Sequence, residues 1–365
     1  MPDPAPASSW TAAFPDAELA AGAVRVFKHG RDQIAVFRLE DGSLHAVDNR
    51  CPHEGYPLAK GDLQGCVLTC RWHNFKFTLP SGECLIGDER LRVFPLRVVA
   101  GRVEIDLAPP DPTALRAHLL ASLETGLERR RIGQVARDVV RLLDAGASPV
   151  SIAIEAARFD AERAEYGTTH ALPVAFDVLG IATRFPAALA ALPLMQPLDM
   201  ASESGQMRPR NVLAPASPQE DAGAPIDRVG DRLAALVEAE DATSAEALLR
   251  AAWARPSWST AERRAALEAW FYRLCCDHFL DFGHPLIYQT KIFDLLEAAD
   301  WRHGEVILAA HLRGIVLGTR EDLLPEWRHL RGHLDAATPR FGDWMARQAD
   351  LAAGGTGAHV DVLAL

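Results

Sequence analysis

Two short boxes of metal-binding side chains stand out in this chain. The first reads Cys51-Pro52-His53-Glu54-Gly55-Tyr56-Pro57-Leu58. The second reads Cys70-Arg71-Trp72-His73-Asn74-Phe75-Lys76-Phe77, with sixteen residues between His53 and Cys70. Each box carries one thiol and one imidazole, in C-x-H and C-x-x-H spacing. Two thiolates and two imidazoles can hold a [2Fe–2S] cluster, with the thiolates on one iron and the imidazoles on the other. The same set could also satisfy one tetrahedral zinc ion. Zinc fingers, however, pair Cys with Cys and His with His, whereas each box here mixes the two. The spacing favours iron–sulfur chemistry.

Boxes of this kind need a frame that holds them still. Before them, Ala23–His29 and Gln33–Leu39 alternate apolar and polar residues, and Ser43–Val47 follows a Glu40-Asp41-Gly42 turn. An Asp-Gly pair between apolar runs is a hairpin signal. After them, Leu91–Val99 and Arg102–Leu107 form a second hairpin across Ala100-Gly101. Short strands joined by tight turns suit a small β-sandwich or barrel. His29 and His45 fall in strand patterns and read as ordinary sheet residues.

Over roughly residues 8–108 the chain resembles the Rieske family. The resemblance includes Pro52 inside the first box, Trp72 inside the second, Phe75 and Phe77 just after it, and Gly82 at the next turn. It implies a small antiparallel β-fold with both boxes on loops at one tip. The implied ligands are Cys51, His53, Cys70 and His73. Respiratory Rieske proteins carry an extra Cys in each box, paired as a disulfide across the loops. Tyr56 and Trp72 stand at those positions here. The chain is therefore similar to the soluble ferredoxin and dioxygenase subtype. Fewer hydrogen bonds to the cluster sulfurs would set its potential near the low end of the Rieske range, about −150 mV. One departure is Asn74, where that subtype usually has Gly.

At 365 residues and 48% hydrophobic content, two or three domains with sizeable cores are expected. A net charge of −11 argues against a nucleic-acid surface. The N-terminus shows neither a basic start nor an apolar run, so no secretory signal is read, and no stretch of eighteen apolar residues suggests a membrane span. Of the six Cys, 51 and 70 are assigned to the cluster, 275 and 276 are neighbours unsuited to pairing, and 66 and 84 read as small buried side chains. A reducing cytoplasm fits.

The expected fold class is multidomain, β plus α: a Rieske antiparallel β-domain over 1–108, then an all-α region. Residues 1–9 read as a mobile arm. Three prolines within Pro109–Pro112 make a stiff boundary. Beyond it, helical periodicity takes over, with Leu115, Leu119, Leu120 and Leu123 on one face. Helices are expected near 113–145, 148–165, 169–182, 228–240, 243–254, 260–281, 286–299, 303–317 and 320–335. The region divides into a first half at 113–196, a linker or lid at 197–226, and a second half at 227–350. Tyr166-Gly167-Thr168-Thr169-His170-Ala171-Leu172 and Phe282-Gly283-His284-Pro285-Leu286 read as a weak internal repeat. Each has an aromatic residue, a Gly, then H-x-L opening an apolar helix. These two segments faintly resemble questin-oxidase-like helical proteins.

A second active site would sit in the helical region. Rieske oxygenases place a mononuclear iron on two His and a carboxylate. The segment Asp277–His284 imitates this, but five residues separate His278 from His284, one more than in that family. Only 81 residues follow His284, and that family's catalytic domain is mixed α/β, so a standard oxygenase subunit is not expected. Di-iron bundles use two Glu-x-x-His motifs; one occurs here, Glu326-Trp327-Arg328-His329, in a charged stretch. The remaining candidates are His170, His278 and His284, with Asp281 one helical turn from His278.

These readings converge on an electron-transfer protein that passes single electrons through a histidine-ligated iron. The helical region would serve as its docking or assembly module, and oligomers are compatible. The alternative is a self-contained oxygenase, with a small organic substrate or an additional iron in the helical region. Fusing donor to acceptor raises effective concentration. No G-x-G-x-x-G unit is found, so electrons are expected from a separate reductase.

Overall fold

The computed structural model describes residues 10–340, apart from 88, 187–188, 217–223, 258, 334 and 338–339. The expected arm at 1–9, part of the expected linker at 217–223 and the stretch 341–350 lie outside the described residues. The chain forms two compact units, Met1–Ile152 with Ala182–Met207, and Ala153–Ile181 with Arg208–Leu365.

Among the described residues, the first unit begins with ten short strands: β1 (Trp10–Pro15), β2 (Val24–His29), β3 (Asp32–Arg38), β4 (Leu44–Asp48), β5 (Asp62–Gln64), β6 (Val67–Thr69), β7 (Lys76–Thr78), β8 (Val93–Phe94), β9 (Leu96–Val99) and β10 (Arg102–Asp106). They pair antiparallel in three sheets, ordered β1-β10-β9, β2-β3-β4-β8 and β5-β6-β7. Strand β3 is the hinge of the packing. Ile34 and Val36 face a core with Phe14, Phe94, Val103 and Ile105, whereas Ala35 and Phe37 face a core with Leu58, Leu68, Phe77 and Leu91. Cys51 and Cys70 lie in the second of these cores. A strand buried on both faces keeps its register, because a one-residue slip would exchange the two sets.

The expected turns form. Gly42 N–H donates to the Leu39 carbonyl, and Asp41 accepts from the Ser43 N–H and hydroxyl. Ala100 and Gly101 both take left-handed φ, 47° and 73°, in the two-residue loop between β9 and β10. That geometry matches the strand twist.

Pro112 does not merely mark a boundary; it opens a helix. The Asp111 side chain accepts from the N–H groups of Thr113 and Ala114, and Pro112 sits at the first helical position, where its missing N–H is harmless. The helices are α1 (Pro112–Glu128), α2 (Ile132–Asp144), α3 (Pro149–Arg163), α4 (Ala171–Ala182), α5 (Ala191–Gly205), α6 (Ile226–Glu238), α7 (Ala242–Trp253), α8 (Thr260–Cys276), α9 (His284–Ala298) and α10 (Gly304–Leu317). In the first unit, α1 packs on α2 and α5.

Three expectations need correction. The single helix expected over 113–145 is an α1–α2 hairpin. Arg130 adopts φ 50°, and the N–H groups of Arg130 and Arg131 return to the carbonyls of Leu127 and Gly126. No Gly or Pro marks this break; the packing of α1 against α2 selects it. The stretch expected as a linker from 197 is helical to Gly205, with Pro197 inside α5 and Leu194, Leu198 and Ala201 buried. The helix expected over 320–335 begins as two 3-10 turns, Glu321–Leu323 and Pro325–Trp327. There the buried Asp322 turns back to accept from the Phe279 N–H.

Candidate metal centre

The two boxes fold as near copies of each other. In the first, Gly55 N–H donates to the Cys51 carbonyl and Cys51 N–H to the Tyr56 carbonyl. In the second, Asn74 N–H donates to the Cys70 carbonyl and Cys70 N–H to the Phe75 carbonyl. Gly55 and Asn74 are the equivalent left-handed positions, φ 78° and 61°. Asn is among the few residues that tolerate this conformation, which explains how the second loop keeps its shape without Gly.

These loops place both thiols inward and both imidazoles outward. Cys51 and Cys70 are buried, 3% and 1% exposed, while His73 is exposed and His53 partly so. The Nδ1 atoms of His53 and His73 converge at 3.1 Å, with the rings nearly perpendicular. Each ring is backed by an aromatic side chain. His53 stacks on Phe75 at 4.4 Å and His73 on Trp72 at 5.0 Å. Tyr56 and Trp72 lie 6.0 Å apart, so two aromatic rings meet where the respiratory subtype would carry its crosslink.

The donor set fits a bound cluster. Burial pushes the Cys51 thiol up to about 12, with Cys70 beside it adding to the rise. Such thiols become thiolates only against a cation. Two imidazole nitrogens at this separation likewise need a proton or a metal centre between them. Among the described residues, His53, Glu54 and His73 form a group whose ligating atoms all lie within 4.8 Å, and neither thiol belongs to it. One tetrahedral ion would draw all four donors to within about 4 Å of each other. Thiols buried on one side and imidazoles turned outward on the other suit two metal atoms.

Helix α2 lies against this end of the β-domain. Arg141 donates to the Pro52 carbonyl at 2.8 Å, and Arg137 pairs with the buried Glu89 at 2.9 Å. Between His53, Phe75, Ile86 and Glu89 on one side and Arg131, Gln134 and Arg137 on the other is a half-open cleft of about 420 Å³. Burial, then the Arg137 charge, lowers the pKa of His53. None of α2 was singled out from sequence. Periodicity shows that a helix has a polar face, and no local signal shows whether that face is covered.

Residues 9–95 match the family model described as Rieske [2Fe-2S] domain. This part of the chain is a Rieske domain. It binds a [2Fe–2S] cluster and is an electron-transfer module. Relatives include a 4beta-methylsterol monooxygenase of Methylococcus capsulatus, 36% identical over 99 residues, covering 24% of this chain and 26% of that protein. The ferredoxin component of a naphthalene 1,2-dioxygenase system of Pseudomonas aeruginosa is 28% identical over 78 residues, covering 21% of this chain and 74% of that protein. A solved complex of reduced oxygenase and oxidized ferredoxin in carbazole 1,9a-dioxygenase aligns at 25% identity and TM-score 0.26, over 27% of this chain and 94% of that one. The chain thus spans about a quarter of the sterol monooxygenase, and 17% of a cholesterol 7-desaturase from Hemicentrotus pulcherrimus. Among the described residues, no helix is long and apolar enough to cross a membrane.

Of the candidates in the helical region, the structure unites two and separates the others. His170, just before α4, and His284, opening α9, meet edge to face at 5.3 Å, with Tyr288 5.8 and 5.9 Å away. The two arms of the weak repeat are thus neighbours. Tyr288 is buried, and desolvation with the nearby Asp160 and Asp281 pushes its hydroxyl up to about 12. His278 belongs elsewhere, bridging Asp322 at 3.0 Å and Glu238 at 2.9 Å. Asp281 accepts the Thr319 N–H, and its carbonyl lies 2.5 Å from His284 Nδ1. Cys66, expected to be buried, is exposed; Cys84 is partly buried and its Sγ accepts the Gly87 N–H.

Proposed function

We propose that this chain is an electron-transfer protein whose cluster is held by Cys51 and Cys70 on one iron and by His53 and His73 on the other. The observation that carries this reading is the meeting of the two Nδ1 atoms at 3.1 Å, outside a pair of buried thiols. The cluster supplies a one-electron carrier. The chain's residues do the rest. Cys51 and Cys70 hold the buried side, away from water. His53 and His73 form the outer side, and His73 is 38% exposed, so electrons pass there. Phe75 and Trp72 hold the two rings by stacking. Electrons come from a separate reductase, and the cytoplasm is the fitting compartment.

The test is iron and acid-labile sulfide per full-length chain, purified without oxygen, together with the electron paramagnetic resonance spectrum after reduction. Two irons and two sulfides are expected, with both lost in Cys51→Ser and with changed g values in His73→Cys. Full retention of iron and sulfide in Cys51→Ser, Cys70→Ser and His53→Ala would sink the ligand assignment.

A second reading is a fused oxygenase, with a substrate or a further iron in the helical region. It is favoured by one observation, the His170–His284–Tyr288 cluster. A third or fourth iron per chain, lost in the His170→Ala/His284→Ala double variant while labile sulfide stays at two, would establish it. Two irons with no change in that variant would remove the metal form of this reading.

A further inference from the structure

We infer that Arg141 on α2 is a positioning residue for the cluster, holding the first ligand box through the Pro52 carbonyl and raising the reduction potential by its charge, which Asp138 offsets. The inference rests on the reading that Cys51 and His53 are ligands. Pro52 lies between them, so a bond to its carbonyl fixes the loop that carries both. Arg141 reaches it at 2.8 Å from 89 residues further along the chain.

Arg141 keeps its positive charge although burial lowers its pKa. Reducing the cluster adds a negative charge, and a nearby cation stabilises that state. The neighbouring charges are unequal in effect. Arg137 is paired with Glu89 at 2.9 Å, and its charge still acts on His53 ahead of that of Glu89. Asp138, 2% exposed, lies 3.7 Å from Arg141 and accepts the Ser122 hydroxyl at 2.6 Å. Asp48 and Glu89 from the β-domain and His118 from α1 also face Arg141. Asp138 lies on the same helix as Arg141, and burial raises its pKa to about 6. Its ionisation therefore offsets Arg141 at neutral pH and releases it in mild acid.

The experiment is a spectroelectrochemical titration of the intact, cluster-loaded chain at pH 7.5 and pH 5. Arg141→Gln is expected to lower the midpoint potential, and Arg141→Lys to recover part of the loss. Asp138→Asn is expected to raise it at pH 7.5 and to show a smaller rise than wild type on acidification. An unchanged potential in Arg141→Gln, with two irons and two sulfides retained, overturns the inference. If Arg141→Gln does not hold its cluster, Asp138→Asn decides, and an unchanged potential and pH response overturn it. If wild type carries no iron and no labile sulfide, it falls together with the ligand assignment.

Discussion

Gly82 offers a sharp test of how the metal centre is walled in. Its φ is +70°, and a Cβ built there would lie 2.0 Å from the Leu91 carbonyl oxygen and 2.9 Å from Val93 Cγ2. The Leu91 N–H donates to the Gly82 carbonyl, so the two segments are tied together as well as close. Leu91 is 2% exposed and belongs to the core that holds Cys51 and Cys70. A backbone oxygen cannot rotate away as a side chain can, so Gly82→Ala must push the Leu91 segment outward. Left-handed backbone costs Ala about 1–2 kcal/mol, and overpacking adds about 1–3 kcal/mol. The total is about 2–5 kcal/mol. Gly65 separates the two effects. Its φ is +58°, and a Cβ there meets no described atom within 4 Å. Gly65→Ala should show only the first cost. The assay is anaerobic urea unfolding of the intact chain, followed by the visible absorbance of the cluster, which reports on this site alone. With an m-value of about 1–3 kcal/mol per molar urea, the two midpoints should differ by about 1 M. Coinciding midpoints would refute the reasoning.

Asn74→Gly should leave cluster retention unchanged, whereas Asn74→Val, forced into φ near 61°, should cost about 1–2 kcal/mol and speed bleaching in air. His311 is 1% exposed and stacked on Phe271, and burial lowers its pKa to about 3. Its unfolded value is higher, so its contribution to stability is complete above about pH 6.5 and is lost as pH falls toward 3, at about 1.4 kcal/mol per pH unit. In unfolding followed between pH 7 and pH 4, the stability of wild type minus that of His311→Leu should fall with that slope as pH is lowered. Asp138 has the opposite sign. With a folded pKa near 6 and an ordinary unfolded one, its contribution is complete below about pH 4 and is lost as pH rises through 6, about 3 kcal/mol in all. Asp138→Asn should therefore gain most over wild type at pH 7, and an equal difference at pH 4 and 7 would count against a buried neutral carboxyl.

The boxes were legible because metal ligation is local chemistry. A Cys and a His two or three residues apart on one loop already share a surface, and the Asp41-Gly42 and Ala100-Gly101 turns carry their own backbone preferences. The same local logic marked Pro112, although its role as a helix opener became clear only with Asp111 capping it. Asn74 stands in the sequence as a departure, and its left-handed φ supplies the reason that it is tolerated.

Tertiary packing decided the rest. The α1–α2 break at Arg130 has no Gly or Pro to announce it, and α5 carries Pro197 where sequence suggested a linker. His278 and His284 are near in sequence, yet the turn through Asp281 and Phe282, φ 41° and 54°, sends them to different partners. His170 and His284 are 114 residues apart in the chain and adjoin in space. Arg141 meets Pro52 for the same reason. Periodicity tells which face of a helix is polar, but not whether that face meets water or a carbonyl oxygen brought to it by the fold. By itself the sequence determined the cluster chemistry and the change from β to α near Pro112. The folded chain decided which distant charges surround that chemistry, because contacts between remote residues depend on how helices pack and not on the residues that flank them.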